Sequence, residues 1–225
     1  MNRGAMETLY IVMPAYNEEQ NIYEVVRSWF PLLDGKSEKS RIVVADSGST
    51  DRTHSFLLKM KKDYPKLVIL TETQKQHGPK LMALYDYDIQ HRADYIFQID
   101  SDGQTSPEDF NAFWEQRAAY KGIFGNRIRR GDGHFRTFVE KVVCFILKIY
   151  FGVSIPDANA PFRLMQVSAL KKYLYRLPKN YHLPNIMITT YYAYYHEKLL
   201  FYPISFTSRQ GGRNSIHLFK IIKIG

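Results

Sequence analysis

The chain has 225 residues, 45% of them apolar, and a formal net charge of +9. That length suits one α/β domain, or one with a helical appendage, and the apolar share excludes a disordered chain. The single cysteine, Cys144, excludes an internal disulfide framework and a multi-cysteine zinc site, while the positive charge points to an anionic partner: nucleic acid, an acidic membrane surface or a phosphorylated small molecule.

The opening MNRGAMETLYIVMPAYNEE has no long apolar core and turns acidic early, so it does not read as a signal peptide. No run approaches the roughly 20 apolar residues of a membrane-spanning helix. The longest candidate, Val142 to Val153, is short and interrupted by Lys148.

Short apolar runs alternate with amphipathic segments through the first half, which predicts βαβ units and a mostly parallel central sheet flanked by helices. Leu9 to Met13 reads as a buried strand ended by Pro14, and Asn21 to Phe30 as a helix with Ile22, Val25, Val26 and Trp29 on one side. Arg41 to Ala45 is a second strand, Asp51 to Lys62 a helix and Leu67 to Leu70 a third strand. A helix over Lys80 to His91, a fourth strand at Tyr95 to Ile99, a helix from Pro107 through Tyr120 and a fifth strand at Gly122 to Gly125 follow. The second half is rich in Tyr, Phe, Lys and Arg and alternates more weakly. Phe138 to Tyr150 reads as a basic-apolar helix with Phe138, Val142, Phe145, Ile146 and Ile149 on a broad side, and Ile216 to Ile224 repeats the theme. One domain over residues 1–225 is expected, with residues 8–126 forming one half and 127–225 the other.

Polar clusters at Asn17, Asp46 and Asp100 each follow an apolar strand. Open α/β sheets bind ligands beyond the carboxyl ends of their strands, so the three clusters are expected to share one cleft. In Asp100-Ser101-Asp102 two carboxylates at alternate positions of an extended stretch point the same way and repel unless a cation lies between them. Hard oxygen ligands suit Mg2+ or Mn2+, and Gln104, two residues on, adds a neutral oxygen. An acidic turn capping the helix at Pro107 is the competing explanation. Asp46 is placed to accept hydrogen bonds from a nucleobase or ribose, whereas Ser49 to Asp51 reads as turn and cap chemistry. Pro14 sets a turn and Tyr16 offers a stacking surface.

Taken in order, P-A-Y-N-E-E, D-S-G-S-T-D and D-S-D-G-Q-T-S-P-E resemble glycosyltransferase family 2. The last motif is most similar to the dolichyl-phosphate mannose synthase and bacterial polyprenyl-phosphate glycosyltransferase branch, as is Asp157-Ala158-Asn159-Ala160-Pro161-Phe162-Arg163-Leu164. The resemblance covers about residues 8 to 215. It implies a GT-A fold, a nucleoside-diphosphate sugar donor, a divalent metal and inversion at the anomeric carbon. By the same resemblance Pro14, Tyr16, Glu18 and Asp46 line the nucleoside pocket, and Asp100, Asp102 and Gln104 hold metal and diphosphate. Lys80 matches a basic residue near the donor, Arg127 and Arg136 match arginines facing the diphosphate or an acceptor phosphate, and Arg163 matches the F-R-L arginine. Three departures stand out: Ser47 in place of a second aspartate, Pro161 in place of glycine, and Glu140 where a small hydroxyl is expected four residues after Arg136.

The resemblance implies a catalytic group of Asp102, Arg136, Asp157 and Arg163. An acceptor phosphate is already anionic and needs cations rather than a general base, and Arg127, Arg136, Arg209 and Arg213 supply them. A hydroxyl acceptor on a surface polysaccharide or glycolipid needs a base, for which Asp157 is the candidate. A lipid-phosphate acceptor implies a cytoplasmic protein, peripheral at the inner face of the membrane, with the two basic-apolar helices at the membrane surface. No nucleic-acid partner is expected: the basic residues form no recognition motif, and the acidic cluster at Asp100 and Asp102 repels a phosphate backbone.

Overall fold

The computed structural model describes residues 6–130 and 134–207, apart from the side chains of residues 129, 130, 134 and 135. Seven strands form one sheet: β1 (Leu9–Ala15), β2 (Arg41–Asp46), β3 (Leu67–Leu70), β4 (Tyr95–Gln98), β5 (Gly122–Arg130), β6 (Arg163–Gln166) and β7 (Leu199–Phe206), in the order β3-β2-β1-β4-β6-β5-β7. Pairing is parallel for β1 with β2 and β4, β2 with β3, and β5 with β7, and antiparallel where β6 meets β4 and β5. Six strands therefore point one way and β6 alone is reversed. Every residue of β1 is buried, the signature of a central strand covered on both faces.

Pro14 sits in that central strand without breaking it. Its pairing partner β4 stops at Gln98, opposite Val12, so the missing N–H lies beyond the ladder. The Pro14 carbonyl, on the same side, accepts from Ser101 Oγ at 2.8 Å.

Helices α1 (Ile22–Trp29), α2 (Thr53–Asp63) and α4 (Phe110–Gln116) cover one face of the sheet. There Trp29, Leu57, Phe110 and Phe113 pack with Leu9, Ile11, Phe97 and Phe162. The other face is covered by α3 (His77–Gln90), α6 (Val167–Leu174) and α7 (Pro184–Tyr194), through Leu81, Leu84, Tyr85, Leu170, Tyr173, Ile188 and Tyr192. Helix α3 starts three residues earlier than its apolar pattern suggested. Its first turn fits tightly: a Cβ on Gly78 would stand 2.2 Å from the His182 carbonyl oxygen.

Helix α5 (His134–Phe151) differs from the rest. Leu147 is buried against Val153, Ile155 and Ala158, with Val143 and Cys144 packed beside it. Burial, reinforced by the Glu140 charge, pushes the Cys144 thiol up to about 12, which keeps it an inert packing group. The broad apolar side is exposed: Phe138, Val142, Phe145, Ile146, Ile149 and Tyr150 face outward, with Phe145 at 62% and Tyr150 at 79%. No helix among the described residues is long and apolar enough to cross a membrane. The terminal helix expected at Ile216 to Ile224 lies outside the described residues.

Candidate active site

Because six strands share one direction, the loops after β1, β2, β3, β4, β5 and β7 emerge at one end of the sheet, and so does the segment that leads into the reversed β6. The expected convergence is seen directly in hydrogen bonds between loops. Asn17, held at φ 56°, accepts from Thr50 N at 2.8 Å through its side-chain oxygen. Its own N–H donates to Ser49 Oγ at 3.1 Å, and Glu18 N donates to Thr53 Oγ1 at 2.8 Å. A left-handed Asn is tolerated here because its short side chain makes such local bonds. Asp51 accepts from Thr53 N and Glu19 accepts from Arg52 N, so α2 is capped by residues of both loops. This agrees with the turn-and-cap reading of residues 49–51.

Asp46 closes β2 at 3% exposure and is held through both carboxylate oxygens. Oδ1 accepts from Ser49 Oγ, and Oδ2 lies 2.9 Å from Nδ1 of His54. Ser47, which stands where a second aspartate was expected, bonds instead to Thr73 Oγ1 at 2.7 Å and to the Gln74 carbonyl at 3.0 Å. Those bonds anchor the loop that carries Lys75, whose stem lies on Gly48 and whose ammonium sits 4.7 Å from the Tyr16 ring centroid. Lys80 reaches the same ring from beneath, at 5.4 Å, and donates to the Ala15 carbonyl. It is 1% exposed, and burial pulls its pKa down to about 8, opposed by Asp46 and assisted by Lys75. Glu18 is buried and holds Asn21 Nδ2 at 2.9 Å, an arrangement that braces the start of α1.

Beyond β4, Asp100 is part-exposed, with His77 Nε2 at 3.2 Å and Gln98 Nε2 at 3.4 Å from its Oδ1. Asp102 Oδ1 accepts from Gln104 N at 3.1 Å, and Gly103 between them takes φ 72°. The cap of the turn at Pro107 is Ser106, whose Oγ accepts from Glu108 N, so the two aspartates are not consumed as helix caps. Gln104 is turned elsewhere: Nε2 donates to the Thr207 carbonyl at 2.7 Å, and its own carbonyl accepts from Thr207 N at 3.1 Å and Oγ1 at 3.2 Å. Its amide nitrogen thus ties the turn after β4 to the residue that follows β7. Two hard carboxylates remain, which fits Mg2+ or Mn2+, ions commonly held by one or two carboxylates with substrate phosphates and water completing the shell. No three His, Cys, Asp or Glu side chains among the described residues are grouped so as to hold a metal ion.

At the far side of the cleft Arg127 meets Asp157. Nε and Nη2 bind the two carboxylate oxygens at 2.7 and 2.8 Å, and Nη2 lies 3.4 Å from Glu140. Both partners are nearly buried, the setting in which a bidentate pair is strong. Glu140 also accepts from Ala158 N at 2.8 Å, so the carboxylate found in place of a hydroxyl ties α5 to the loop before β6. Arg136 lies one turn before Glu140 on the same face of α5. A shift in the β5–β7 register between Arg127 and Arg129 marks a bulge at this rim.

Arg163 is corrected by its surroundings. It is fully buried; Nε and Nη2 donate to the Ala160 carbonyl at 3.0 and 2.8 Å, and Nη1 to the Asn185 carbonyl and Thr189 Oγ1 at 3.2 Å each. The guanidinium also stacks 4.6 Å from the Phe124 ring. A cation so engaged pins the loop carrying Asp157 rather than touching substrate, and Asp157 itself pairs with Arg127. Arg209 and Arg213 lie outside the described residues. His54, His77 and Lys75 were not expected; each acts through a partner from another loop, so no local motif announces it.

Comparison with known proteins bears on the family and the fold. Over 217 residues the chain is 22% identical to undecaprenyl-phosphate 4-deoxy-4-formamido-L-arabinose transferase of Edwardsiella ictaluri, covering 95% of this chain and 64% of that one. Over 157 residues it is 29% identical to the same-named protein of Pseudomonas fluorescens, covering 68% and 45% respectively. A dolichyl-phosphate beta-glucosyltransferase of Trichomonas vaginalis is 30% identical over 107 residues, 45% of this chain and 32% of that one. The chain thus spans between about a third and two-thirds of the length of these relatives. Among solved structures, glucosyl-3-phosphoglycerate synthase from Mycobacterium tuberculosis, in complex with Mn2+ and uridine-diphosphate-glucose, superposes with a TM-score of 0.71 at 18% identity, covering 97% of this chain and 75% of that one. The fold is that of the GT-A glycosyltransferases. The sequence profile described as Glycosyl transferase family 2 matches residues 10–174, well over half of the chain, and the protein belongs to that family.

Proposed function

We propose that this chain transfers a sugar, with inversion, from a nucleoside-diphosphate sugar to a polyprenyl phosphate at a membrane surface. The observation that carries the acceptor is α5. It begins at the acceptor end of the cleft and turns Phe138, Phe145, Ile149 and Tyr150 outward, with Lys141 and Lys148 exposed beside them. Such a helix suits a headgroup interface, apolar side down and lysines at the phosphates. The names of the curated relatives, which act on undecaprenyl and dolichyl phosphates, support the same acceptor class. A location at the cytoplasmic, inner face follows from this reading.

In the donor half, Tyr16 and Asp46 would receive the nucleoside, with Pro14 and Glu18 shaping the pocket and Lys80 adding positive charge beneath it. Asp100 and Asp102 would hold the divalent cation, Mg2+ or Mn2+. When bound, that cation would neutralise charge gathering on the departing diphosphate. The acceptor phosphate oxygen bonds to the anomeric carbon on the face opposite the diphosphate, and the bond from that carbon to the diphosphate oxygen breaks. No proton need be removed from a phosphate, so positioning cations suffice, and Arg136 with Arg209 and Arg213 are assigned to them. A hydroxyl acceptor would require a free base. Among the described residues Asp157 and Glu140 are the carboxylates at that end, and each oxygen of Asp157 already accepts two N–H bonds, from Arg127 and Asn159. That pairing favours the phosphate.

The test is transfer of labelled sugar from UDP- and GDP-sugars, with Mn2+ and detergent, to a short polyprenyl phosphate and to a neutral glycan. Label in the lipid phase, lost in Asp102→Asn, supports the proposal. Label only in the glycan replaces it with the hydroxyl reading. Flotation with anionic vesicles tests the surface: parent bound and Phe145→Asp/Ile149→Asp unbound is the expected pair of results.

A further inference from the structure

We propose that His54 is a positioning residue of the donor site, holding the Asp46 carboxylate in the orientation that reads the nucleoside. The inference rests on the donor-site reading of Asp46 above. A carboxylate at 3% exposure requires hydrogen-bond donors, and Asp46 has one on each oxygen: Ser49 Oγ on Oδ1 and His54 Nδ1 on Oδ2 at 2.9 Å. Each carboxylate oxygen accepts at two lone-pair positions. With one taken on each by protein, the carboxylate is fixed about its χ2 torsion, and the second position on each oxygen is presented in a defined direction.

The placement of His54 follows from the helix. Residue 54 is in the first turn of α2, and Cα–Cβ bonds lean toward a helix N-terminus. Its imidazole therefore reaches back over the end of β2, where Asp46 stands. Asp51 and Glu19 already satisfy the N–H groups of Thr53 and Arg52, so the His54 side chain is spared from capping. With Nδ1 protonated, the ring donates to Oδ2. Ser47 has meanwhile turned to Thr73 and Gln74, which leaves Asp46 as the carboxylate of this turn, and its orientation matters the more. Ser49 alone cannot set it, because one bond to one oxygen leaves the torsion able to rock.

The experiment measures UDP and GDP binding by calorimetry, with Mn2+, on the full chain and on His54→Leu and His54→Asn, with thermal unfolding of each. Leu keeps the bulk and removes the donor; Asn restores an N–H near the Nδ1 position. The expected result is about tenfold weaker binding of the preferred nucleotide in His54→Leu, recovery to within about threefold in His54→Asn, and a higher donor KM with little change in kcat. Parent-like binding in His54→Leu, or equal loss in both variants, overturns the inference while leaving the donor site standing. A folded parent that binds neither nucleotide overturns both.

Discussion

Asp88 offers a sharp test of the packing described for α3. It lies in the last turn of that helix with no exposure, and neither carboxylate oxygen has a hydrogen-bond partner among the described residues. Burial holds its pKa well above the usual 3.8, so the folded protein keeps the acid protonated where the unfolded chain has already ionised. The sign follows from proton counting. Between the unfolded and folded values the native state binds one more proton, so stability falls as pH rises, by about 1.4 kcal/mol per pH unit. Asp88→Asn keeps the shape and removes the titration. The variant should therefore gain on the parent as pH rises above the unfolded carboxylate's value, with the two converging near pH 4. Urea unfolding of both proteins at intervals of one pH unit measures the difference, in which every other titrating group cancels. Parallel stability curves would show that Asp88 is solvated or paired, and the account of this face of the core would be wrong.

The remaining tests address the cleft and its floor. Asp102→Asn should abolish the Mn2+-dependent thermal shift given by nucleoside diphosphate while leaving the metal-free melting temperature within about 2 °C, since the amide oxygen of Asn can still accept from Gln104 N. Lys80, at about 8, is charged below that pH and neutral above it, so nucleotide affinity of the parent should fall between pH 7.5 and 9. Lys80→Arg should be flat over the same range, and matching profiles would exclude Lys80 from the donor site. Arg163→Met strips donors from the Ala158, Ala160 and Asn185 carbonyls. It should cost about 3 kcal/mol or more, roughly 6–12 °C in melting temperature, with kcat per folded molecule little changed. A selective loss of kcat at full stability would return Arg163 to the chemistry.

The first half of the chain was legible in the sequence because its signals are local. Apolar runs of four to seven residues between turn clusters gave β1 to β4, with β3 matched at both ends, Leu67 and Leu70. Direction of the strands then placed Asn17, Asp46 and Asp100 at one edge without further information. The second half resisted for physical reasons. Strand β6 has four residues and begins with Arg163, a charge that reads as chemistry until packing buries it. Strand β7 contains Pro203, which argues against a strand except at an edge, and β7 pairs only with β5. Helix α7 is apolar nearly all round, so no periodicity marks it. The apolar side of α5 was visible as a pattern, but a pattern does not say whether protein covers it. His54 and Lys75 depend on contacts across more than one loop, which spacing along the chain does not encode.

The tie between Gln104 and Thr207 bears on how the protein is handled. Strand β7 ends at the rim of the cleft, three hydrogen bonds from the turn that carries Asp102, whereas β1 starts at the opposite end of the sheet. Residue 207 thus stands beside the Asp102 turn, and residue 9 at the far end of the sheet. A pull applied at residue 207 therefore reaches the Asp100 turn directly through the Gln104 bonds, while one applied at residue 9 enters the sheet from the end away from it.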